Sequence, residues 1–270
     1  MREAAGGLFL SIVMLLTLAG CGAGTPSGAG DEVIVFAAAS LTDAFEELSG
    51  AFEASHSGVT VIRNYDSSSS LAIQLIEGAS ADVYASANWR QMEVAQEEGR
   101  IAGEPVSFAT NRLVVLVPAA NPAGITSLAD LALPGLRLVL AAPSVPVRDY
   151  TDRMIESLAA DPAYGPAYRE AIYANLASEE HSVRQVVAKV ALGEADAGIV
   201  YVSDVTPDVA DRVLRIEIPE PYNVLATYPV GVVSNAPNPE LAQEFIRFLL
   251  SEEGQAVLAR WGFGPAPSGG

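Results

Sequence analysis

Apolar strand-like runs alternate with helical periods along almost the whole chain, and this alternation confines it to an α/β architecture. The runs lie at 33–38, 59–64, 82–86, 113–117, 136–141, 197–201 and 213–218. Between them apolar residues recur at helical spacing. Leu41, Phe45, Leu48 and Phe52 form one stripe, and Val183, Val186, Val187 and Val190 a second. Ala242, Phe245, Ile246, Leu249 and Leu250 form a third. The run from 108 to 118 reads as one extended strand crossing between two lobes. Mixed, mostly parallel sheets flanked by helices are expected, and such sheets bind ligands beyond the carboxyl ends of their strands.

Two strands run directly into serine-tipped helix starts. The first passes through Ala39-Ser40-Leu41, the second through Asp66-Ser67-Ser68-Ser69-Ser70-Leu71. A helix start offers free N–H groups and the positive end of a dipole, and a serine hydroxyl adds a donor. Two such ends aimed at one point hold an anion without Lys or Arg. The plainer alternatives remain open. Ser40, with Asp43 three residues on, reads as an N-cap of capping-box type. The serine run reads equally as a solvated loop. Ser182 is placed to cap the Val183 helix.

Residues 8–18 are apolar, too short to span a bilayer, and lead into Leu18-Ala19-Gly20-Cys21. Residues 1–20 read as a signal peptide, and Cys21, the chain's only cysteine, stands where a bacterial lipobox needs it. The plainer reading is an ordinary signal with an incidental cysteine. The Gly-rich stretch after it is a flexible tether, so 21–31 is assigned to a lipidated cysteine and its linker. With one cysteine there is no internal disulfide, so the core alone must stabilise the fold. A net charge of −18 argues against nucleic acid and against an anionic membrane surface. It also means that any anion site must work through local dipoles.

Several segments in order resemble the molybdate-binding proteins of bacterial ABC importers. They are Phe36-Ala37-Ala38-Ala39-Ser40-Leu41, Ser67 through Gln74, Val145-Pro146-Val147-Arg148-Asp149-Tyr150, and Ser182-Val183-Arg184 followed by Gly198 through Asp204. Ala81 through Ala87 and Trp261-Gly262-Phe263 extend the match over nearly all of the chain after the tether. The resemblance implies a type II periplasmic binding protein with a ligand cleft between two lobes. Lobe 1 would take 32–108 plus 229–270, and lobe 2 would take 109–228. The chain would be a monomeric, extracytoplasmic, membrane-anchored lipoprotein. It would need no cofactor, and would deliver molybdate or tungstate to an ABC permease and its ATPase.

By the same resemblance, Ser40, Ser68, Val147, Val183 and Tyr201 would bind the oxyanion. Ser40 and Ser68 would give hydroxyls, Val147 and Val183 backbone N–H groups, and Tyr201 its phenol, with no protein atom ligating the metal directly. Ser67, Ser69, Arg148, Asp66 and His181 are secondary cleft candidates. Arg148-Asp149 departs from the Gly-Arg pair expected after Val147, and 155–176 is longer than the family norm. Asp66, turned inward, would favour a protonated anion such as phosphate.

A site of pure donors suits a tetrahedral dianion whose oxygens all accept. Hydrogen phosphate would leave its own O–H unpaired, at a cost of ~1–3 kcal/mol. Sulfate must be rejected by size. On residues alone, Tyr201 reads equally as a core tyrosine, and Val147 and Val183 as core. His56 reads as solvated. Catalysis has little support, because no HExxH, GxSxG or GxxxxGK pattern occurs. Receptors for sulfate, phosphate or a small carboxylate, a secreted serine hydrolase, and a periplasmic sensory module remain as alternatives.

Overall fold

The computed structural model describes residues 31–267. The signal segment, Cys21 and most of the tether lie outside the described residues. The architecture is two mixed sheets flanked by helices. In the first, β1 (Asp31–Ala38) pairs in parallel with β2 (Val59–Asp66) and β3 (Val83–Ala85). Next come β10 (Ala226–Val233), β4 (Ile101–Asn111) and β11 (Gly264–Pro265), all antiparallel to their neighbours. The second sheet has the order β7-β6-β8-β5-β9, with β5 Leu113–Pro118, β6 Leu138–Ala141, β7 Leu176–Glu180, β8 Ala197–Tyr201 and β9 Val213–Glu217.

Four pairings among the described residues are parallel and five antiparallel, so parallel pairs do not dominate as the alternation suggested. The excess comes from the strands that join the two sheets. The expected strand over 108–118 is in fact two, broken at Arg112 and assigned to different sheets. Asn111 Oδ1 takes the Arg112 N–H at 2.9 Å, and the Arg112 carbonyl accepts from Val202 N–H. The ladder therefore stops at Arg112 and the chain enters the second sheet. It returns between Glu217 and Ala226.

The helical stripes supply the core. Leu41, Phe45, Leu48 and Phe52 are buried along α1 (Thr42–Ser55). Phe52 meets Phe245 of α8 (Pro239–Leu250) edge-on at 5.2 Å, and Phe45 meets Phe108 at 5.9 Å. The C-terminal helices α8 and α9 (Glu252–Arg260) thus return to the first sheet. Each such fully buried side chain contributes ~1.5–3 kcal/mol of transfer free energy. Leu250, expected in the third stripe, is instead exposed at its edge.

Parallel pairing decides where the site can be. Because β1 and β2 run together, their carboxyl ends lie side by side, and α1 and α2 (Ser68–Ile76) begin there. In the second sheet β6, β7 and β8 are parallel neighbours. Their ends lead to α4 (Pro146–Ala160), to α6 (Val183–Ala191) and to Tyr201. Gly198 brings α6 down onto β8, since a Cβ there would sit 2.7 Å from Val186 Cγ1. The start of α6 and the end of β8 are thereby held together.

Candidate functional site: an uncharged oxyanion cradle

Where the two sheets' strand ends face each other there is a cavity of about 10 Å³, measured as space for the centre of a water-sized sphere. That is the space of about one water, far too little for a sugar or a peptide. Ser40, Ser67, Ser68 and Ala87 line it from the first sheet's side, and Val147, Val183 and Tyr201 from the second's. The structure therefore brings Ser40, Ser68, Val147, Val183 and Tyr201 to one point. None of the residues lining this cavity carries a charge.

The candidate donors are backbone N–H groups at helix starts and the hydroxyls of Ser40, Ser67, Ser68 and Tyr201. Ser68 and Val183 are the first residues of α2 and α6, and Val147 is the second of α4. Their N–H groups have no intrahelical acceptor. The three dipoles add positive potential, each worth up to ~2 kcal/mol for a partly buried anion. Ser68 Oγ accepts the Ala87 N–H at 2.9 Å, which leaves its own proton free for the cavity. The Tyr201 hydroxyl is fully buried and has no protein partner. Burial holds its pKa well above the ordinary value, so it stays a donor.

Ser40 does not cap α1. It lies within a 3-10 turn, Ala39–Leu41, and the α1 N-cap is Leu41, with no side-chain bond. The Asp43 carboxylate, expected in a capping box, instead pairs with Arg184 of α6. Ser40 Oγ is bonded to Tyr228 Oη at 3.1 Å. Ser67 is the true cap of α2, accepting Ser70 N–H at 3.2 Å. Ser182 occupies the N-cap position of α6 but makes no cap bond.

The secondary candidates divide. Ser67 lines the cavity, while Ser69, Arg148, Asp66 and His181 do not. Ser69 is buried against Ser67 Oγ at 3.1 Å. Asp66 Oδ1 takes the Ser67 N–H at 2.6 Å, so it braces the serine turn instead of facing an anion. His181 is exposed, its N–H bonded to Gln185. Arg148 donates to Glu179 and Asp152 at 2.6 Å each and to the Ala141 carbonyl at 3.0 Å. Burial works against its charge, but the two carboxylates outweigh it and raise its pKa. Its neighbour Asp149 reaches across the cleft to Asn88 and Arg90, both at 2.9 Å.

Two residues near the site were not among the sequence candidates. Tyr228, on β10, is one. The other is Asp204, whose Oδ2 accepts the Tyr201 N–H at 2.9 Å while Oδ1 has no partner. Burial pushes its pKa up to about 7 from 3.8, against the Tyr201 N–H and Arg184, which lower it. A raised carboxyl pKa favours the protonated folded state. Its stabilising effect is full at acid pH and is lost as pH rises through about 7. The melting temperature is expected to fall by roughly 3 °C or more between about pH 5 and 8, and Asp204→Asn should flatten that slope. Differential scanning calorimetry across the range checks this, and an equal slope in the variant would refute it.

A two-sheet α/β frame with a small ligand cleft between opposed strand ends is the fold of type II periplasmic binding proteins. Residues 33–264 match the family described as bacterial extracellular solute-binding protein, and the chain belongs to it. It is 39% identical over 261 residues to the molybdate-binding protein ModA of Mycobacterium tuberculosis, covering 94% of this chain and 95% of that one. Among solved structures, the substrate-binding domain of a putative molybdenum ABC transporter from Clostridium difficile superposes with a TM-score of 0.65 at 29% identity. That match covers 87% of this chain and 99% of the other. The sulfate-binding protein SubI of M. tuberculosis superposes with a TM-score of 0.77 over 88% of each chain, but at 19% identity that likeness concerns the fold alone.

Proposed function

We propose that this chain captures molybdate, and tungstate with it, outside the cytoplasm and delivers it to an ABC permease driven by its ATPase. The observation that carries this reading is the cradle itself: converging helix starts and hydroxyl donors around a cavity of about 10 Å³, with no charged lining residue. Such a cradle complements an ion whose oxygens are all acceptors. Each acceptor meets a donor, and a bond to a charged acceptor is worth ~1.5–3 kcal/mol. Ser40, Ser68, Val147, Val183 and Tyr201 would make these bonds, leaving the metal centre untouched by protein atoms. The names of the mycobacterial and clostridial relatives support the same ligand.

The two lobes, 32–108 with 229–270 and 109–228, would close over the ion by a hinge motion. The protein would act as a monomer held to the membrane through lipid on Cys21, and Cys21→Ala should release it from the membrane fraction. Binding, not hydrolysis, fits the serines. Among the described residues Ser40 is bonded to Tyr228 and Ser68 to Ala87 N–H and neither to a base.

Equilibrium dialysis against equimolar molybdate, sulfate and phosphate tests the reading. About one molybdenum per chain is expected by elemental analysis. Occupancy by sulfate or phosphate with no molybdenum retained would overturn it.

A further inference from the structure

A serine hydroxyl both donates and accepts. It discriminates against a protonated anion only if something prevents it from accepting the anion's proton. Ser40 is surrounded by such a constraint. Its Oγ lies 3.1 Å from Tyr228 Oη, which in turn lies 3.4 Å from Asn111 Nδ2.

The direction of each bond can be read. Asn111 Oδ1 accepts the Arg112 N–H at 2.9 Å, which fixes the amide orientation. Its Nδ2 therefore faces Ser203 Oγ at 2.8 Å and Tyr228, and an amide nitrogen only donates. Tyr228 oxygen accepts from it. Tyr201 Oη also faces Tyr228 but makes no hydrogen bond, so Ser40 Oγ at 3.1 Å is the acceptor within hydrogen-bond distance of the Tyr228 proton. The phenol is fully buried, and burial holds its pKa well above the ordinary value, so the proton stays on it. Were Ser40 to donate to Tyr228, that buried proton would be stranded, at a cost comparable to a lost hydrogen bond. The relay thus runs from Asn111 to Tyr228 to Ser40, and the Ser40 proton is left for the cavity.

We infer that Tyr228, oriented by Asn111, is a specificity-determining residue: it takes one of the two lone pairs of Ser40 and turns the serine proton into the cavity, so the site favours oxyanions that present only acceptors. Tyr228 does not line the cavity, so it acts through Ser40 as a positioning residue. The relay is built on the two strands that join the lobes, with Asn111 ending β4 and Tyr228 near the start of β10.

This inference rests on the oxyanion reading, and the test separates the two. Molybdate and phosphate affinities are measured by calorimetry on the wild type, Tyr228→Phe, Ser40→Ala and the double variant. Tyr228→Phe keeps the ring, which packs edge-on to Phe263 and Phe108. Its molybdate affinity should fall about tenfold while phosphate affinity holds or rises, so the preference drops tenfold or more. In the Ser40→Ala background the same change should leave the preference unaltered. A preference unchanged in Tyr228→Phe, or reduced equally without Ser40, overturns the inference. Should Tyr228→Phe fail to fold, Asn111→Ala decides: a preference several-fold lower supports the relay, and an unchanged one refutes it. Failure of the wild type to bind molybdate would instead strike the functional reading.

Discussion

Replacing Ser40 and Ser68 together by alanine should raise the molybdate Kd by about 10²–10⁴-fold, since each removes a donor to a charged acceptor worth ~1.5–3 kcal/mol. Two of the four hydroxyl-bearing residues that line the cavity are lost, while Val147 and Val183 remain. Stability should fall as well. Ser68 Oγ satisfies the buried Ala87 N–H, and Ser40 Oγ satisfies Tyr228. The two costs are separable by measuring the melting temperature and the affinity on the same sample. A folded double variant with affinity within about threefold of wild type would show that the ion does not sit against these serines.

Breaking the Arg184 contact should act chiefly on how long the ion stays. Arg184 follows Val183 on α6, on the second sheet's side of the cleft. Its guanidinium pairs with Asp43 of α1 and donates from Nε to the Ala39 carbonyl at 3.2 Å, next to Ser40. In the proposed hinge closure these contacts form as the two sides of the cleft meet, so their free energy would belong to the closed state. The pair is about one-third exposed on each side, and solvent screening limits it to ~1 kcal/mol. Arg184→Ala should therefore raise the molybdate dissociation rate up to about fivefold with little change in association. Asp43→Arg combined with Arg184→Asp should recover part of the loss. Stopped-flow fluorescence checks both. An unchanged dissociation rate would mean that the pair does not hold the cleft shut. The Asp149 contacts to Asn88 and Arg90 form a second clasp near the other helix start and set the background against which this loss is read.

Much of this site was legible because its donors sit at strand-to-helix junctions, which hydrophobic periodicity marks well. The run ending at Ala38 and the stripe beginning at Leu41 leave little room for Ser40 to be elsewhere, and β8 delivers Tyr201 in the same way. What the junction does with each side chain was less legible. Ser40 looks like a helix cap in one dimension. Its actual partner, Tyr228, is 188 residues away and reads only as a core tyrosine before Pro229. Arg148, a secondary cleft candidate, turns away from the cavity because one step along a helix turns a side chain by ~100°. Val147 lines the cavity while the next side chain reaches Glu179 on β7.

The same limits apply to the strands that were overlooked. β4 contains Gly103, Glu104 and Pro105, and β10 carries Pro229 at a register shift. Proline cannot donate to a ladder, so such stretches resemble loops until their partners are known. β7 reads Leu-Ala-Ser-Glu-Glu and has no apolar alternation strong enough to mark it. β4 and β10 pair antiparallel and tip the balance away from parallel pairs, whereas β7 adds a parallel one.

Isothermal titration of the purified protein at neutral pH tests the central claim most directly, with molybdate, sulfate and hydrogen phosphate in separate runs. A saturable heat with about one molybdate per chain is predicted, and at least about tenfold weaker binding of hydrogen phosphate, whose proton meets only donors. Hydrogen phosphate bound as tightly as molybdate, or no heat with molybdate at all, would contradict it.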